Sequence, residues 1–178
     1  MFWTDWGVNP KIERAGMNGQ QRQVIVSTDM MMWPNGLAID YFSELLFWVD
    51  AKLHTLSSCD FDGLGRRTII NSASILPHPF SVTVFEDSVY WSDWEKEGIF
   101  KANKFDGSER TQLISDLFNP MNLRIMHPVI QSNCKYKFGE KKFKRTKTGC
   151  SCVFMGGICI NSPTFAQNIV KINFKNII

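Results

Sequence analysis

Phe47-Trp48-Val49-Asp50 stands in the middle of this chain, and two near copies flank it, Phe2-Trp3-Thr4-Asp5 and Tyr90-Trp91-Ser92-Asp93. The three tryptophans are 45 and 43 residues apart. An aromatic residue, a tryptophan and an aspartate that recur at one spacing indicate internal repetition, which decides the fold before any single element does.

Three further short sequence motifs recur in the same order and support the repeat. A turn motif ends at Gly19, Gly63 and Gly107, so successive glycines are 44 residues apart. Arg22, Arg66 and Arg110 come three residues later, and each leads to an apolar pair: Val24-Ile25, Ile69-Ile70 and Leu113-Ile114. Pro34, Pro79 and Pro120 then open the next unit.

Each unit is predicted to contain four short strands. In the middle unit the alternation and the β-branched content predict strands over Gly36–Asp40, Leu45–Asp50, Thr55–Phe61 and Arg66–Asn71, with turn residues between them. Apolar residues do not recur at helical spacing. Four strands per 40–45 residues is typical of a β-propeller blade, so the fold class is all-β.

The strands account for about three blades. Units at 1–30, 33–75 and 78–118, with a closing strand at 121–127, are predicted to form a partial propeller over residues 1–131. Six blades at this period would need roughly 260 residues. The sequence therefore predicts part of a larger propeller that begins inside a blade.

Residues 132–178 differ in composition and are predicted to form a small, irregular tail. Residues 1–133 carry 11 Lys/Arg and 16 Asp/Glu, whereas residues 134–178 carry 9 and 1. Four of the five cysteines, Cys134, Cys150, Cys152 and Cys159, lie in this tail. Zinc binding is disfavoured because no Cys-x2-Cys pair occurs, and disulfides are favoured, with three pairings open.

The basic stretch Lys135–Lys147 holds seven Lys/Arg, one Glu and two interleaved phenylalanines. It is open to interpretation as a nuclear signal, a nucleic-acid patch or a solvated tail. We favour the solvated tail, and we expect no nucleic-acid partner.

The chain resembles the YWTD repeats of the low-density lipoprotein receptor family over roughly residues 1–131. The stretches that carry the resemblance are Phe2–Gly7, Lys11–Gly19, Trp33–Asp40, Lys52–Ser58, His78–Ser81 and Val84–Asp93. The resemblance implies a partial six-bladed YWTD β-propeller in the ectodomain of a single-pass endocytic receptor, at the plasma membrane and cycling through endosomes. Membrane attachment would come through flanking segments, since this chain shows neither a signal peptide nor a transmembrane stretch.

In that family an EGF-like module with six cysteines follows the propeller. The tail here has four cysteines, and Cys150-Ser151-Cys152 is its only EGF-like spacing. A degenerate EGF-like module, an altered exon and a mispredicted gene end all remain open.

The repeated residues are predicted to build the fold. Asp5, Asp50 and Asp93 are expected to accept backbone N–H bonds at the end of the second strand. Trp3, Trp48 and Trp91 are expected to pack in the core, and Gly19, Gly63 and Gly107 to supply positive φ in turns. Cys59 is expected to be buried and free.

Four residues outside the repeated motifs are the candidates for binding. Trp6 and Trp33 lie in loops, where they serve either as recognition anchors or as caps of the blade rim. His54 and His78 lie at turns; histidine gains charge between a neutral cell surface and an endosome, so both are candidate acid switches. By resemblance, these four positions match a propeller face that meets the receptor's own cysteine-rich modules at acid pH, although a cooperating lysine of the family is Ser74 here.

The sequence predicts a non-enzymatic binding module that takes lipoprotein-type protein ligands and contributes to their acid-dependent release. His54, His78 and His127 are accompanied neither by a sequence motif with a nucleophilic Ser or Cys nor by a glycine-rich phosphate-binding loop. Neither a metal nor a cofactor is predicted. A Wnt co-receptor-type propeller that binds Wnt or an antagonist is the alternative, because Lys11–Gly16 and Tyr90–Trp94 fit that branch.

Overall fold

A computed structural model of the chain describes residues 1–27, 31–126, 153–155, 158–160 and 169–173, with the side chains described up to residue 125. The regular elements in these ranges are all strands. They are β1 (Phe2–Asp5), β2 (Lys11–Arg14), β3 (Gln23–Ser27), β4 (Pro34–Asp40), β5 (Leu45–Asp50), β6 (Thr55–Asp60), β7 (Arg67–Asn71), β8 (Pro79–Phe85), β9 (Ser88–Asp93), β10 (Gly98–Asn103), β11 (Thr111–Ile114), β12 (Asn122–Met126), β13 (Val153–Met155), β14 (Ile158–Ile160) and β15 (Ile169–Asn173).

The strands form one antiparallel sheet per repeat. β1, β2 and β3 make a three-stranded sheet, β4 to β7 a four-stranded sheet, and β8 to β11 another, each in sequential order. The middle sheet matches the four predicted strands to within two residues at each end. The all-β prediction and its four-strand unit are therefore confirmed.

β12 begins a further unit. It lies against β8, where the Leu123 N–H donates to Ser81 Oγ at 3.1 Å and Ser81 Oγ donates to Asn122 Oδ1 at 3.3 Å. β12 is also paired in parallel with β15, and β13 pairs with β14 in an antiparallel hairpin. The tail predicted to be irregular thus contains three short strands; its cysteine side chains and His127 lie outside the described residues.

The sheets are stacked through their first strands at very short range. A Cβ added at Gly36 of β4 would stand 2.8 Å from Val82 N and 2.9 Å from Phe80 O of β8. No side chain fits there, so glycine is what lets the two backbones meet. This contact fixes the distance between the second and third sheets.

The tryptophans of the second and third aromatic-Trp-x-Asp motifs fill the core. Trp48 and Trp91 are each 1% exposed, and Trp91 stacks on Phe100 with ring centroids 5.6 Å apart. Trp3 differs from the prediction, because it is only half-buried and lies under the Arg22 guanidinium, 5.3 Å from the ring centroid. No sheet covers its outer side in the described structure.

The three turn glycines have positive φ, at +78° for Gly19, +82° for Gly63 and +70° for Gly107. Two of them also touch the preceding sheet: Gly63 meets the Ile25 carbonyl, and a Cβ at Gly107 would lie 2.7 Å from Ile70 Cγ1. The turn that ends in glycine therefore closes a hairpin within its own sheet and also packs on the preceding sheet.

Cys59 is fully buried and free, as predicted. Burial raises the pKa of its thiol to about 11. The thiol therefore stays protonated at neutral pH and acts as a small apolar side chain.

A buried ion pair joins the second and third sheets. Lys104 Nζ donates to Asp40 Oδ2 at 2.8 Å and to Ser43 Oγ at 3.1 Å, and both charged residues are almost fully buried. Burial works to raise the pKa of Asp40, but the bonds from Lys104 and Ser43 outweigh it, so the pKa is lowered. A lowered pKa means that the pair stabilises the fold at neutral pH and that this contribution is lost as the pH falls through it.

Lys104→Met should lower the free energy of unfolding by about 3–5 kcal/mol, because it strands the Asp40 carboxylate without a partner. Asp40→Asn combined with Lys104→Met should restore most of the loss. Urea unfolding followed by circular dichroism measures both. Lys101→Met, at a half-buried lysine in β10 three residues before Lys104, is the matched control and should cost less than about 1 kcal/mol; equal losses for the two lysines would contradict the prediction.

Candidate ligand-binding face

One end of the sheets gathers the candidate residues, and we call it the Asp face. The strand register places the turn 51–54 beside the start of β4 and the end of β7, since Asp50 lies opposite both Pro34 and Thr55, and Thr55 opposite Asn71. The equivalent segments of the other sheets lie at the same end. The Asp face comprises residues 6–10, 31–33, 51–54, 72–78, 94–97 and 115–121.

Asp50 holds this end of the middle sheet together. Its Oδ2 accepts the N–H groups of Met32 at 2.6 Å and Trp33 at 3.0 Å, and its Oδ1 accepts those of Lys52 and Leu53, each at 2.9 Å. The carboxylate is fully buried. One side chain therefore ties the segment that enters β4 to the turn that leaves β5.

Asp93 repeats the arrangement in the third sheet. Its Oδ2 accepts the His78 N–H at 3.1 Å, and its Oδ1 accepts those of Glu95 and Lys96 at 3.0 Å. Burial raises the pKa of Asp93, and the three N–H bonds offset only part of that effect. The backbone of His78 is thus fixed by a buried carboxyl.

Asp5 does not form the same bonds. The prediction that it accepts backbone N–H groups is wrong within the described chain. Its side chain is 52% exposed, with Lys11 Nζ 3.8 Å away. The physical reason is that the three-stranded sheet has no first strand, so no entering segment offers N–H groups to the carboxylate.

Trp6 and Trp33 come together across the first and second sheets. They are 63% and 40% exposed, and their ring centroids lie 6.4 Å apart at a tilt of 55°. Lys52 Nζ lies 5.4 Å from the Trp33 ring centroid. The result is an exposed aromatic pair with an adjacent cation, which suits recognition of a protein surface.

His54 is half-buried in the turn of the middle sheet at φ +56°. Its Nδ1 lies 3.0 Å from the Leu76 carbonyl oxygen. Because a carbonyl only accepts, Nδ1 carries the proton in this contact, and Nε2 is the other ring nitrogen.

His78 lies in an aromatic stack that sequence reasoning missed. Its ring stacks on Trp94 with centroids 5.2 Å apart and 16° between the planes, and Phe80 stacks on the same indole at 4.4 Å. Trp94 Nε1 donates to the Pro120 carbonyl at 3.1 Å, which fixes the ring. The signal was in the repeat, because Trp94 follows Asp93 as Trp6 follows Asp5.

The Asp face carries exposed aromatic and cationic side chains, and the described residues contain no candidate metal site. No group of three or more His, Cys, Asp or Glu side chains that could hold a metal ion occurs in that part of the chain. It also contains no helix of the length and apolarity needed to cross a membrane.

The family model of the low-density lipoprotein receptor repeat class B matches residues 1–41, 44–86 and 87–128. The chain belongs to this family. Each matched segment runs from the Trp-x-Asp strand of one sheet through the first strand of the next, which is β4, β8 and β12 in turn. The resemblance seen in the sequence words is thereby confirmed.

Two curated relatives are vitellogenin receptors. The chain is 42% identical to the Drosophila melanogaster protein Yl and 41% identical to the Solenopsis invicta protein, in each case over 133 residues and 75% of the chain. These residues span only 6% and 7% of the two relatives.

Among solved structures, a chain of the nidogen/laminin complex aligns with a TM-score of 0.55 and 31% identity, covering 67% of this chain and 42% of that one. A gluconolactonase from Xanthomonas campestris aligns at 0.51 with 19% identity, covering 65% and 38%. At that identity the second likeness shows the fold alone. The class B repeat and the structural match together identify the sheets as blades of a YWTD β-propeller.

Asp50→Ala should destabilise the fold by at least about 3 kcal/mol, because four backbone N–H groups lose their acceptor in a buried site. Asp5→Ala removes the equivalent residue where it is exposed and should cost less than about 1 kcal/mol. Urea unfolding followed by circular dichroism compares the two. Similar losses would show that the carboxylate bonds do not hold the Asp face together.

Proposed function

We propose that this chain is part of the extracellular, non-enzymatic binding region of an endocytic receptor, and that it binds protein ligands on the Asp face. The single observation that carries the proposal is the exposed Trp6–Trp33 pair beside Lys52 on a class B repeat propeller. Large aromatic side chains exposed on a rigid scaffold are typical hot spots of protein recognition.

The proposed ligand class is taken from the names of the two relatives. Both are named vitellogenin receptors, which supports a lipoprotein-type ligand and an endocytic receptor over the Wnt co-receptor alternative. The receptor would stand at the plasma membrane with this region outside the cell and would cycle through endosomes.

Acid-dependent release is the second part of the proposal. Protonation of His54 at Nε2 adds an N–H donor and a positive charge to the Asp face while Nδ1 stays bound to Leu76 O. Protonation of His78 would place a positive charge on the ring that stacks on Trp94. Both changes add positive charge without repacking the core.

Four charged side chains lie near the two histidines in the part of the chain that the structure describes. Lys52 adjoins the His54 turn, and Asp93, Glu95 and Lys96 lie at the His78 stack, with all but Asp93 exposed. Ser74, which stands where the family has a lysine, shares a hydroxyl bond of 2.9 Å with Ser72. The two imidazolium groups therefore provide the added positive charge on this face as the pH falls.

A face that becomes more positive should bind an acidic module more tightly, and such a module would displace cargo. The receptor's own cysteine-rich, calcium-loaded modules are the proposed occupant. The probe is a recombinant calcium-loaded ligand-binding module of the low-density lipoprotein receptor family, measured by surface plasmon resonance on the immobilised chain between pH 7.4 and 5.5.

We expect binding to this probe to rise at least about tenfold on acidification, and His54→Ala combined with His78→Ala to abolish the rise. His54→Lys should bind at neutral pH with part of the acid-state affinity. His127→Ala, the remaining histidine, is the control and should behave as the parent chain. An unchanged rise in the double variant would refute the switch but leave ligand binding at Trp6 and Trp33 intact.

Trp6→Ala should weaken binding of the probe at both pH values by about tenfold or more, since truncation of an exposed aromatic anchor removes pH-independent contact area. Tyr41→Ala, an exposed aromatic at the opposite end of the sheets, is the matched control. Equal effects of the two substitutions would place the binding site elsewhere.

A further inference from the structure

The chain contains two asparagine–glycine pairs, and the structure places them in opposite surroundings. Asn18-Gly19 lies in the turn between β2 and β3, where both residues are exposed. Asn35-Gly36 lies within β4, where Asn35 is half-buried and Gly36 is buried. Glycine has no side chain to shield its backbone nitrogen or to restrict its rotation, so an asparagine that precedes glycine is the one most prone to lose its amide by internal cyclisation.

We propose that Asn18 is a site of spontaneous deamidation in the folded chain and that Asn35 is not. The Gly19 backbone nitrogen gives up its proton to a solvent base and attacks Asn18 Cγ, which closes a five-membered succinimide ring as ammonia leaves. Water then opens the ring at either carbonyl carbon and gives aspartate or isoaspartate at position 18. The net reaction consumes one water and converts the amide to a carboxylate and ammonium. It does not depend on the ligand of the Asp face.

The turn around Asn18 leaves the reacting groups open to solvent. Asn18 Oδ1 accepts the Gln20 N–H at 3.1 Å, and this bond draws electron density away from Cγ, the atom under attack. The Gly19 N–H donates to the Gly16 carbonyl oxygen at 2.9 Å, so this bond must open before the nitrogen can attack. Opening is inexpensive in an exposed turn, because few buried contacts are lost with it.

The exposure of position 18 does not depend on what precedes the first sheet. The same repeat position is Asp62 in the second sheet and Asp106 in the third, and the glycine after each of them packs on the sheet before it. The Asp62 side chain is nevertheless 66% exposed, and Asp106 is exposed as well. A neighbouring sheet therefore leaves the side chain at this position open to water.

Asn35 has the same neighbour in sequence, but its strand blocks the reaction. Its Nδ2 donates to the Pro79 carbonyl at 3.1 Å, and Gly36 is paired with Val49 of β5 on one side and pressed against β8 on the other. Ring closure requires the backbone between Asn35 and Gly36 to rotate, which would separate β4 from both neighbours. The amide is therefore protected until the fold opens.

The aspartate product is the residue that the repeat already uses at this position. Asp62 and Asp106 occupy it in the other two units. Asp106 Oδ1 accepts the Ser108 N–H at 2.8 Å, just as Asn18 Oδ1 accepts the N–H of Gln20, the residue equivalent to Ser108. An aspartate at position 18 keeps that bond, so the turn accommodates the new carboxylate without rearrangement.

Peptide mapping of the full chain after incubation at about pH 8 and 37 °C tests the proposal. Trypsin cleaves after Arg14 and Arg22 and isolates residues 15–22, whereas Asn35 falls in the peptide 23–52. We expect residue 18, located by fragmentation, to gain about 1 Da at least about tenfold faster than residue 35 in the native chain. Equal native rates, or a faster gain at residue 35, would overturn the proposal.

Incubation of the chain unfolded in urea separates the effect of the fold from that of the sequence. Asn18 and Asn35 should then deamidate at rates within about threefold of each other, because both precede glycine and neither is held by a strand. A tenfold difference that persists in the unfolded chain would show that β4 does not protect Asn35 and would refute the structural argument.

Isoaspartate at position 18 is the signature of the cyclic route, because opening of the succinimide gives both isomers. Methylation of the incubated chain by an isoaspartyl methyltransferase with a labelled methyl donor, followed by the same peptide map, measures it. We expect label in the peptide 15–22. A deamidated peptide that contains aspartate alone would indicate direct hydrolysis and would overturn the attack by Gly19.

Two variants test whether the turn accommodates the product. Asn18→Asp should leave the urea midpoint of unfolding unchanged, because the bond from the Gln20 N–H is kept. Asn35→Asp is the matched variant and should lower the midpoint, since it removes the Nδ2 donor and sets a carboxylate against the Pro79 carbonyl. Equal decreases for the two variants would contradict the accommodation of a carboxylate at position 18.

Discussion

A buried carboxylate at the end of the second strand is the constraint on which the architecture depends. Asp50 accepts four backbone N–H groups from two chain segments, the one that enters β4 and the turn that leaves β5. A charged acceptor is stable in a buried site only when its hydrogen-bonding capacity is filled, so the entering segment and the turn must both take the positions that fill it. The same constraint at Asp93 fixes the backbone of His78.

The candidate face is a consequence of that constraint. Since the aspartates determine where the chain enters each sheet, the residues beside them stand at fixed positions on the Asp face. Trp33 and His78 are such residues, and each reaches an aromatic side chain of the repeat, Trp6 and Trp94 respectively. Recognition and proton sensing can therefore be placed on a rigid scaffold without disturbing the core, because neither depends on a residue that the packing needs.

The contacts between sheets impose a second constraint, and unlike the buried aspartates they join one sheet to the next. Gly36 allows two backbones to approach closely, Gly63 and Gly107 press on the preceding sheet, and the Lys104–Asp40 pair closes the opposite end. The turn-glycine contact is formed twice, at Gly63 and Gly107, whereas the Gly36 approach and the Lys104–Asp40 pair are each formed once among the described residues.

The periodicity of the sequence determined the all-β class, the four-strand unit and its boundaries to within two residues. This was possible because turn glycines and alternating strands are local requirements, met within a few residues of each other. The same local logic predicted Asp50, Asp93, Trp48 and Trp91 correctly.

Only the tertiary structure decided which residues meet across sheets. The exposure of Asp5 and Trp3, the stack of His78 on Trp94 and the pairing of Lys104 with Asp40, 64 residues away, all depend on which unit lies next to which. A repeat assigns every unit the same local pattern, but whether a given copy is buried is determined by its neighbour in space. The physical reason is that burial and partner atoms belong to the contact between two sheets and not to either sheet alone.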